Sequence, residues 1–290
     1  MPFTLSHAAA VLPLIRRTGT ARGPLIASAL VAGSFAPDVT YYADTVIPGG
    51  MAFGTVTHSL PGVLTVDALL TAVLVAGWRW VREPLLALLP PAGRERVGAL
   101  ARGRPRREHT TRERAALAGW FYASAVLGAV THVVWDAFTH PGRWGSHLLP
   151  VLNTVLGDRP LAMYLQYATS ALALLALGGF LHAALRKGSA AGTASTEATA
   201  PELPIRARLL LAAPIALGVL LGAGYRTLRA HAVYGAGVGW FDYLPDLLFG
   251  AGAGLVPGLL VSAAGTRLLG RHRTRHTPAA ADVHAETGTA

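Results

Sequence analysis

The sequence predicts an all-α, polytopic membrane bundle of about five full spans plus short N-terminal helices. Its 290 residues are 52% hydrophobic and 14% charged, and the mean hydropathy is +0.42. Soluble domains carry about 25% charged residues, so this composition favours a lipid environment. Several apolar stretches also approach the roughly 20 residues that one crossing requires. We therefore expect a multi-pass protein of the cell membrane, with the lipid bilayer as its main partner.

The N-terminal region is predicted to form two short helices, residues 5–15 entering the membrane and residues 25–36 returning. Neither is long enough to cross alone, and Pro37 stops the second. The turn between them is basic and favours the cytoplasm, because it carries Arg16, Arg17 and Arg22. This arrangement leaves His7 at the outer side.

Five later stretches are apolar enough to be read as spans. The third of them has no formal charge inside, the fourth contains Pro214 and the fifth is rich in glycine, which favours close helix packing. In chain order they are Val63–Val81, Leu117–Phe138, Leu161–Leu185, Leu209–Gly224 and Tyr243–Leu260.

The connectors fix the expected orientation. Residues 82–114 are rich in arginine and are predicted to be a cytoplasmic loop. Residues 187–204 resemble a flexible linker, and residues 271–290 a disordered cytoplasmic tail. Residues 1–270 then form one membrane-embedded domain, with residues 37–60 and the end of the second full span outside.

Charge and composition also restrict the function. The net charge of +10 comes almost entirely from arginine, and the loop at 82–114 lacks the interleaved aromatic residues of a nucleic-acid surface. We expect it to contact anionic lipid and no nucleic acid. The chain has no cysteine, which excludes disulfides and thiolate ligands.

The most informative polar residues lie at the end of the second full span. His132, Asp136 and His140 are spaced four residues apart and share one helical face. His132 and Asp136 are about 6 Å apart along the axis, close enough to ligate one metal ion. His140 is too distant if the helix continues, so it serves a second ion, or the helix ends at Thr139 and turns His140 inward. Pro141 makes that early end plausible.

Two further fragments fall on the same predicted side. Asp38 directly follows Pro37, and His58 lies in Thr57-His58-Ser59 just before a span. With His7, they complete a set of nitrogen and oxygen ligands that suits Zn, Fe, Mn or Ni. The candidate metal ligands are His7, Asp38, His58, His132, Asp136 and His140.

These fragments resemble a known family. The segment Met1-Pro2-Phe3-Thr4-Leu5-Ser6-His7-Ala8-Ala9-Ala10, the Pro37-Asp38 pair, Thr57-His58-Ser59 and His132 through His140 look like the bacterial membrane family called domain of unknown function 4184. More distantly, the motif order is similar to inner-membrane metal-dependent hydrolases and to the zinc-dependent phospholipase C and nuclease group. Those groups imply metal-assisted hydrolysis of a phosphoester. No glutamate occurs in the motifs; Asp67 or Asp44 could substitute for one.

The sequence leaves three functions open. The first is a metal-dependent hydrolase of a phosphoester or another lipid or envelope component at the extracytoplasmic face. Its cofactor would be a divalent metal such as Zn, with Asp136 and His140 as catalytic residues and His140 a further ligand or a proton carrier. The second is a non-enzymatic membrane protein whose His/Asp cluster fixes packing. The third is a transporter with a proton relay. Four other outer residues are expected to be surface, namely His147, His231, Asp242 and Asp246.

Overall fold

The computed structural model describes residues 3–103, 109–188 and 203–276, and these are almost entirely helical. The α-helices of these residues are, in chain order, α1 (Ala8–Val11), α2 (Ala27–Gly33), α3 (Val39–Ala43), α4 (Gly50–Thr57), α5 (Leu60–Leu64), α6 (Val66–Leu88), α7 (Pro91–Arg102), α8 (Thr111–Thr139), α9 (Trp144–Leu148), α10 (Leu161–Gly188), α11 (Ile205–Tyr234) and α12 (Trp240–His276). Short 3₁₀ helices cover Thr4–His7, Leu12–Leu14, Ala36–Asp38, Pro150–Asn153 and Gly235–Gly237. A small antiparallel hairpin joins β1 (Val155–Leu156) to β2 (Arg159–Pro160).

Four helices, α8, α10, α11 and α12, are long and apolar enough to cross a membrane. They contain the last four predicted spans, and with the short N-terminal helices they confirm the all-α membrane bundle. The first predicted span, Val63–Val81, is helical across α5 and α6, but α6 is not among the four. Charges at Asp67, Arg79 and Arg82 interrupt its apolar surface. It nonetheless packs against α2, α8 and α12 as a member of the bundle.

The N-terminal region reverses direction as the sequence predicts. Ile15 and Ala21 pair across a tight basic turn, which the amide of Arg16 closes by donating to the carbonyl of Thr20 at 2.8 Å. Gly19 in this turn lies against Leu100 of α7. The turn and α7 therefore share one end of the bundle, and Thr4–His7 lies toward the other.

Helices α2 and α8 approach each other unusually closely. A Cβ on Gly128 would stand 2.3 Å from the carbonyl oxygen of Leu30, and a Cβ on Gly33 would stand 2.4 Å from that of Ala125. Only glycine permits this backbone contact. The approach places the residue that follows α2, Ser34, directly beside α8.

Glycine also packs the last two helices together, as expected for the fifth span. A side chain at any of these glycines would meet the backbone of the facing helix, because α11 and α12 contact each other through Gly218, Gly222, Gly250, Gly254 and Gly258. Helices α11 and α12 are held to the rest of the fold by Arg226, whose almost completely buried side chain donates to the carbonyl of Tyr41 at 2.6 Å and lies 3.6 Å from Asp44.

The predicted loop at residues 82–114 is largely helical, which corrects the sequence interpretation. Helix α6 continues to Leu88, and Pro91 begins α7, where a proline is tolerated in the first turn. Glu83 ties the two helices together by binding Arg102 at 2.8 Å. A high density of arginine is typical of a loop, but Arg96, Arg112 and Arg114 are exposed on helices and Arg94 is buried. Residues 104–108 lie outside the described part of the chain.

The two other predicted connectors fall mostly outside the described residues. Of the linker at 187–204, the first residues continue α10 to Gly188, and residues 189–202 are not described. Of the tail at 271–290, residues 271–276 are helical, because α12 continues to His276. The predicted disordered tail otherwise covers residues 277–290, which are not described.

Candidate metal centre

The site is assembled from separate pieces of backbone at one end of the bundle. Asp38 ends the 3₁₀ helix that follows α2, and His58 caps the C-terminus of α4. His132 and Asp136 are one turn apart on α8, as their spacing predicts. All four side chains are buried. The sequence thus brings together groups from positions that are far apart in the chain.

Each of the four side chains offers one ligand atom, and these atoms lie within 4.8 Å of one another. The Nε2 atom of His132 is 3.4 Å from Asp38 Oδ1 and 3.6 Å from Asp136 Oδ2. The Nε2 atom of His58 is 3.7 Å and 3.5 Å from the same two oxygens. Two ligands about 2.1 Å from one ion, at a tetrahedral angle, are about 3.4 Å apart. The separations therefore match ligands that surround a common ion.

Hydrogen bonds set the orientation of both imidazoles. His132 Nδ1 is 2.7 Å from the carbonyl oxygen of Ser34, and His58 Nδ1 is 2.9 Å from that of Gly54. A carbonyl oxygen can only accept, so Nδ1 carries a proton, and Nε2 is the nitrogen that faces the carboxylates. Metal-binding histidines are commonly held by such a bond from the second nitrogen. The α2–α8 contact supplies the first of these carbonyls.

Three of the atoms that face the centre have no other partner. Among the described residues, Nε2 of His58, Nε2 of His132 and Oδ1 of Asp38 are buried without a hydrogen bond, and so is Oδ1 of Asp136, which faces His7. The remaining oxygen of Asp38 accepts a hydrogen bond from Thr4 Oγ1 at 2.5 Å. Buried polar atoms without partners are costly, which a divalent cation beside two carboxylates would relieve. The donor set and its burial fit a metal ion.

His7 lies against this group on its other side. Its ring stacks on that of His132 at a centroid distance of 3.7 Å, and its Nε2 atom is 3.4 Å from Asp136 Oδ1. Neither of its ring nitrogens has a hydrogen bond among the described residues. Burial, reinforced by the neighbouring His132, lowers the pKa of His7 to about 3. The imidazole is therefore neutral at pH 7, the form that binds metal.

His140 is at the edge of the site. Helix α8 ends at Thr139 and His140 is extended, which is the inward turn that the sequence left open as one alternative. Its Nδ1 atom is 3.7 Å from Asp136 Oδ2 and 3.2 Å from the Asp136 carbonyl. Burial lowers the pKa of His140 to about 4, so it too is neutral at pH 7. His7 and His140 both contact Asp136 but are outside the four-ligand group.

The two acids proposed as substitutes for a glutamate ligand behave differently. Asp44 is committed elsewhere: it binds Arg229 at 2.6 Å and accepts from the amide of Met51. It is therefore not available to the site, which corrects that prediction. Asp67 is fully buried on α6 and neither of its carboxylate oxygens has a hydrogen bond among the described residues. It is not part of the four-ligand group.

Residues expected at the surface are exposed or engaged in pairs. His147 and His231 are exposed, and His231 contacts the Tyr243 hydroxyl at 2.9 Å. The two acids of the last span form ion pairs outside the site, Asp242 with Arg159 at 2.8 Å and Asp246 with Arg226 at 2.9 Å.

Several residues around the site are not evident from the sequence. Tyr41 stacks on His58 at a centroid distance of 5.5 Å, and the Tyr41 carbonyl accepts from Arg226 at 2.6 Å. Thr4 lies in the N-terminal motif, which could have marked it. Arg226 lies beyond the predicted span Leu209–Gly224, but α11 continues through it and its side chain is buried. No spacing rule connects it to Tyr41, because the contact depends on the packing of the last two helices.

Comparison with known proteins gives one result. The family described as a domain of unknown function, DUF4184, matches residues 1–264. No curated protein and no solved structure matches the chain. The match includes every residue of the four-ligand group together with His7 and His140. On that basis, the chain belongs to the DUF4184 family.

Proposed function

We propose that this protein is an integral membrane metal-dependent hydrolase whose site faces the extracytoplasmic side. The observation that carries the proposal is the convergence of Asp38, His58, His132 and Asp136. Their ligand atoms lie within 4.8 Å of one another, and three of these atoms are buried without a hydrogen bond among the described residues. Nitrogen and oxygen donors of this kind suit Zn and related divalent ions. The proposed substrate is a phosphoester, in a lipid or another envelope component.

Each residue of the site has its own role in this proposal. Asp38, His58, His132 and Asp136 hold the metal, with Asp136 also orienting the two outer histidines through both carboxylate oxygens. A bound divalent metal lowers the pKa of a water toward about 7 and polarises a phosphoryl oxygen. His140 is the only member of the set with a substantially exposed side chain among the described residues, at 21%, so it is placed to carry a proton to or from solvent.

The proposed side of the membrane follows from where the charges lie. The site is at one end of the bundle, and the basic turn at Arg16–Arg22 lies with α7 toward the other end. Basic segments favour the cytoplasm and anionic lipid, which supports the proposal that the site is at the opposite face.

Metal analysis of protein purified without chelator tests the proposal. We expect about one equivalent of a transition metal in the wild type, as a four-ligand site implies. His132→Ala should lose it. His182→Ala, which removes an exposed histidine of α10, should keep it. A wild-type content below about a tenth of an equivalent would contradict metal binding.

A purely structural cluster makes the opposite prediction. Packing histidines and aspartates normally hydrogen-bond at 2.7–3.2 Å. Here the nitrogen–oxygen separations are 3.4–3.7 Å, and among the described residues both Nε2 atoms and Oδ1 of Asp38 have no hydrogen bond. If the cluster is structural, His132→Ala lowers thermal stability in detergent and the wild type contains no metal. A proton-relay transporter would likewise function without metal.

A further inference from the structure

The metal centre has one open side. The side chains of the inner residues are 0–3% exposed, namely His7, Asp38, His58, His132 and Asp136. His140 is 21% exposed. A ligand from outside therefore reaches the centre past His140.

The chain beyond His140 turns back over this opening. Gly142 has a φ of +72°, in the left-handed region that favours glycine, and it bends the chain sharply after α8. The bend brings Arg143 to Tyr41, where Nη2 donates to the phenol oxygen at 3.4 Å. Because the Tyr41 ring stacks on His58, the half-buried guanidinium is one side chain away from a metal ligand.

Among the described residues, Arg143 forms no ion pair with a carboxylate. Three other arginines at this end each bind an aspartate: Arg159 binds Asp242 at 2.8 Å, Arg226 binds Asp246 at 2.9 Å and Arg229 binds Asp44 at 2.6 Å. Across residues 3–103, 109–188 and 203–276, Arg143 has no carboxylate within 4.0 Å. An unpaired, half-buried cation at the mouth of a site is suited to an anionic ligand.

The surface beside this mouth is apolar. Large hydrophobic side chains are exposed directly after Arg143 and shortly after Tyr41, namely Trp144, Leu148, Leu149, Val151, Val46 and Ile47. A soluble surface rarely exposes such a patch, but it continues the lipid-facing sides of the adjoining helices. Tryptophan is also typical of the headgroup region. The mouth is thus a cationic group set beside lipid-facing surface.

We propose that Arg143, braced by Tyr41, binds the phosphoryl group of a membrane lipid at the mouth of the metal centre. The planar guanidinium matches two phosphate oxygens at once, and the apolar surface accepts the acyl chains. The inference rests on the proposed hydrolase, for which it names the substrate class and the residue that recognises it. A free phosphate would use the same arginine but would gain nothing from the apolar surface.

Calorimetric titration of the purified, metal-containing protein in detergent tests this. One ligand is a phosphonate analogue of dihexanoyl phosphatidic acid, in which a P–C bond that cannot be hydrolysed replaces the P–O ester bond. The other ligand is inorganic phosphate. We expect the lipid analogue to bind at least about tenfold more tightly than phosphate. Arg143→Gln should weaken lipid binding by at least about tenfold, because it removes a charge-assisted hydrogen-bond donor. Arg112→Gln removes the same charge from the exposed start of α8, and binding should be unchanged.

Metal content measured on the same samples separates this inference from the proposed function. Wild-type protein without metal refutes the hydrolase, whatever the titrations give. Equal lipid binding by wild type and Arg143→Gln overturns the role of Arg143. If the wild type binds the lipid analogue and phosphate equally well, the phosphoryl group that Arg143 binds does not have to belong to a lipid, and that part of the inference is refuted. If Arg143→Gln loses its metal while the wild type and Arg112→Gln keep theirs, Arg143 positions the metal ligands. That result also overturns the inference.

Discussion

The substitution Asp136→Asn gives the sharpest test of the metal centre. Asp136 lies within 3.4–3.7 Å of four histidines, and one of its oxygens is part of the four-ligand group. Asparagine has nearly the same shape but no charge, and its amide is a poor metal ligand. The change therefore removes coordination while leaving the packing of α8 in place.

The expected magnitude follows from linkage between binding and folding. A metal present at 100 times its Kd stabilises the folded state by about 2.7 kcal/mol. For a chain of this size, that corresponds to a rise of about 4–5 °C in Tm. With one of four ligands lost, Asp136→Asn should retain little of this rise at the same metal concentration. We expect the difference between metal-loaded and chelated protein to shrink to about 1–2 °C.

Thermal unfolding in detergent, with and without added Zn, measures this difference. Asp67→Asn is the matched control, because Asp67 is also a buried aspartate but lies outside the four-ligand group. It should keep the full metal-dependent rise. The reasoning is refuted if Asp136→Asn shows the same rise as the wild type, or if chelation leaves the wild-type Tm unchanged.

Three further changes test the parts of the fold that support the site. Gly128→Ala should force α8 away from α2, costing about 1–3 kcal/mol and most of the bound metal. Gly119→Ala adds a Cβ that meets no neighbouring atom and should do neither, and denaturant titration with metal analysis checks both variants. Arg226→Met should destabilise the protein by about 3–5 kcal/mol in the same titration, because it leaves two aspartates without their buried partner. Thr4→Val removes the hydroxyl bonded to Asp38 and should weaken metal affinity by about 10–100-fold, measured by competition with a chelator.

Much of the fold could be predicted because hydrophobic length alone identifies a membrane helix. The stretch Leu117–Phe138 lies within α8, and the basic turn after residue 15 correctly indicated a reversal. Charge was less informative, because arginines along α7 have the same composition as a loop. What distinguishes α7 from a loop is its start at Pro91 and the ion pair between Arg102 and Glu83. The ion pair depends on tertiary contact, so it could not be predicted from composition.

Only part of the site could be predicted, because the rest of it depends on tertiary contacts. The interval between His132 and Asp136 fixes their common face on any helix, so that pair follows from helical geometry. Asp38 and His58 were connected to it only through motifs and the expected side of the membrane. The carbonyls that orient the imidazoles carry no sequence signal of their own, since every residue has one. Their roles depend on how closely α2 approaches α8.

The stacking of His7 on His132 also has a consequence for biogenesis. The ribosome releases the imidazole of His7 long before the helix that covers it, and the N-terminal segment is too short to cross the bilayer by itself. We therefore expect the first helices to remain loosely inserted, or held by the insertion machinery, until α8 arrives. Co-translational assembly of the site would then be completed in one step, when His7 first meets α8.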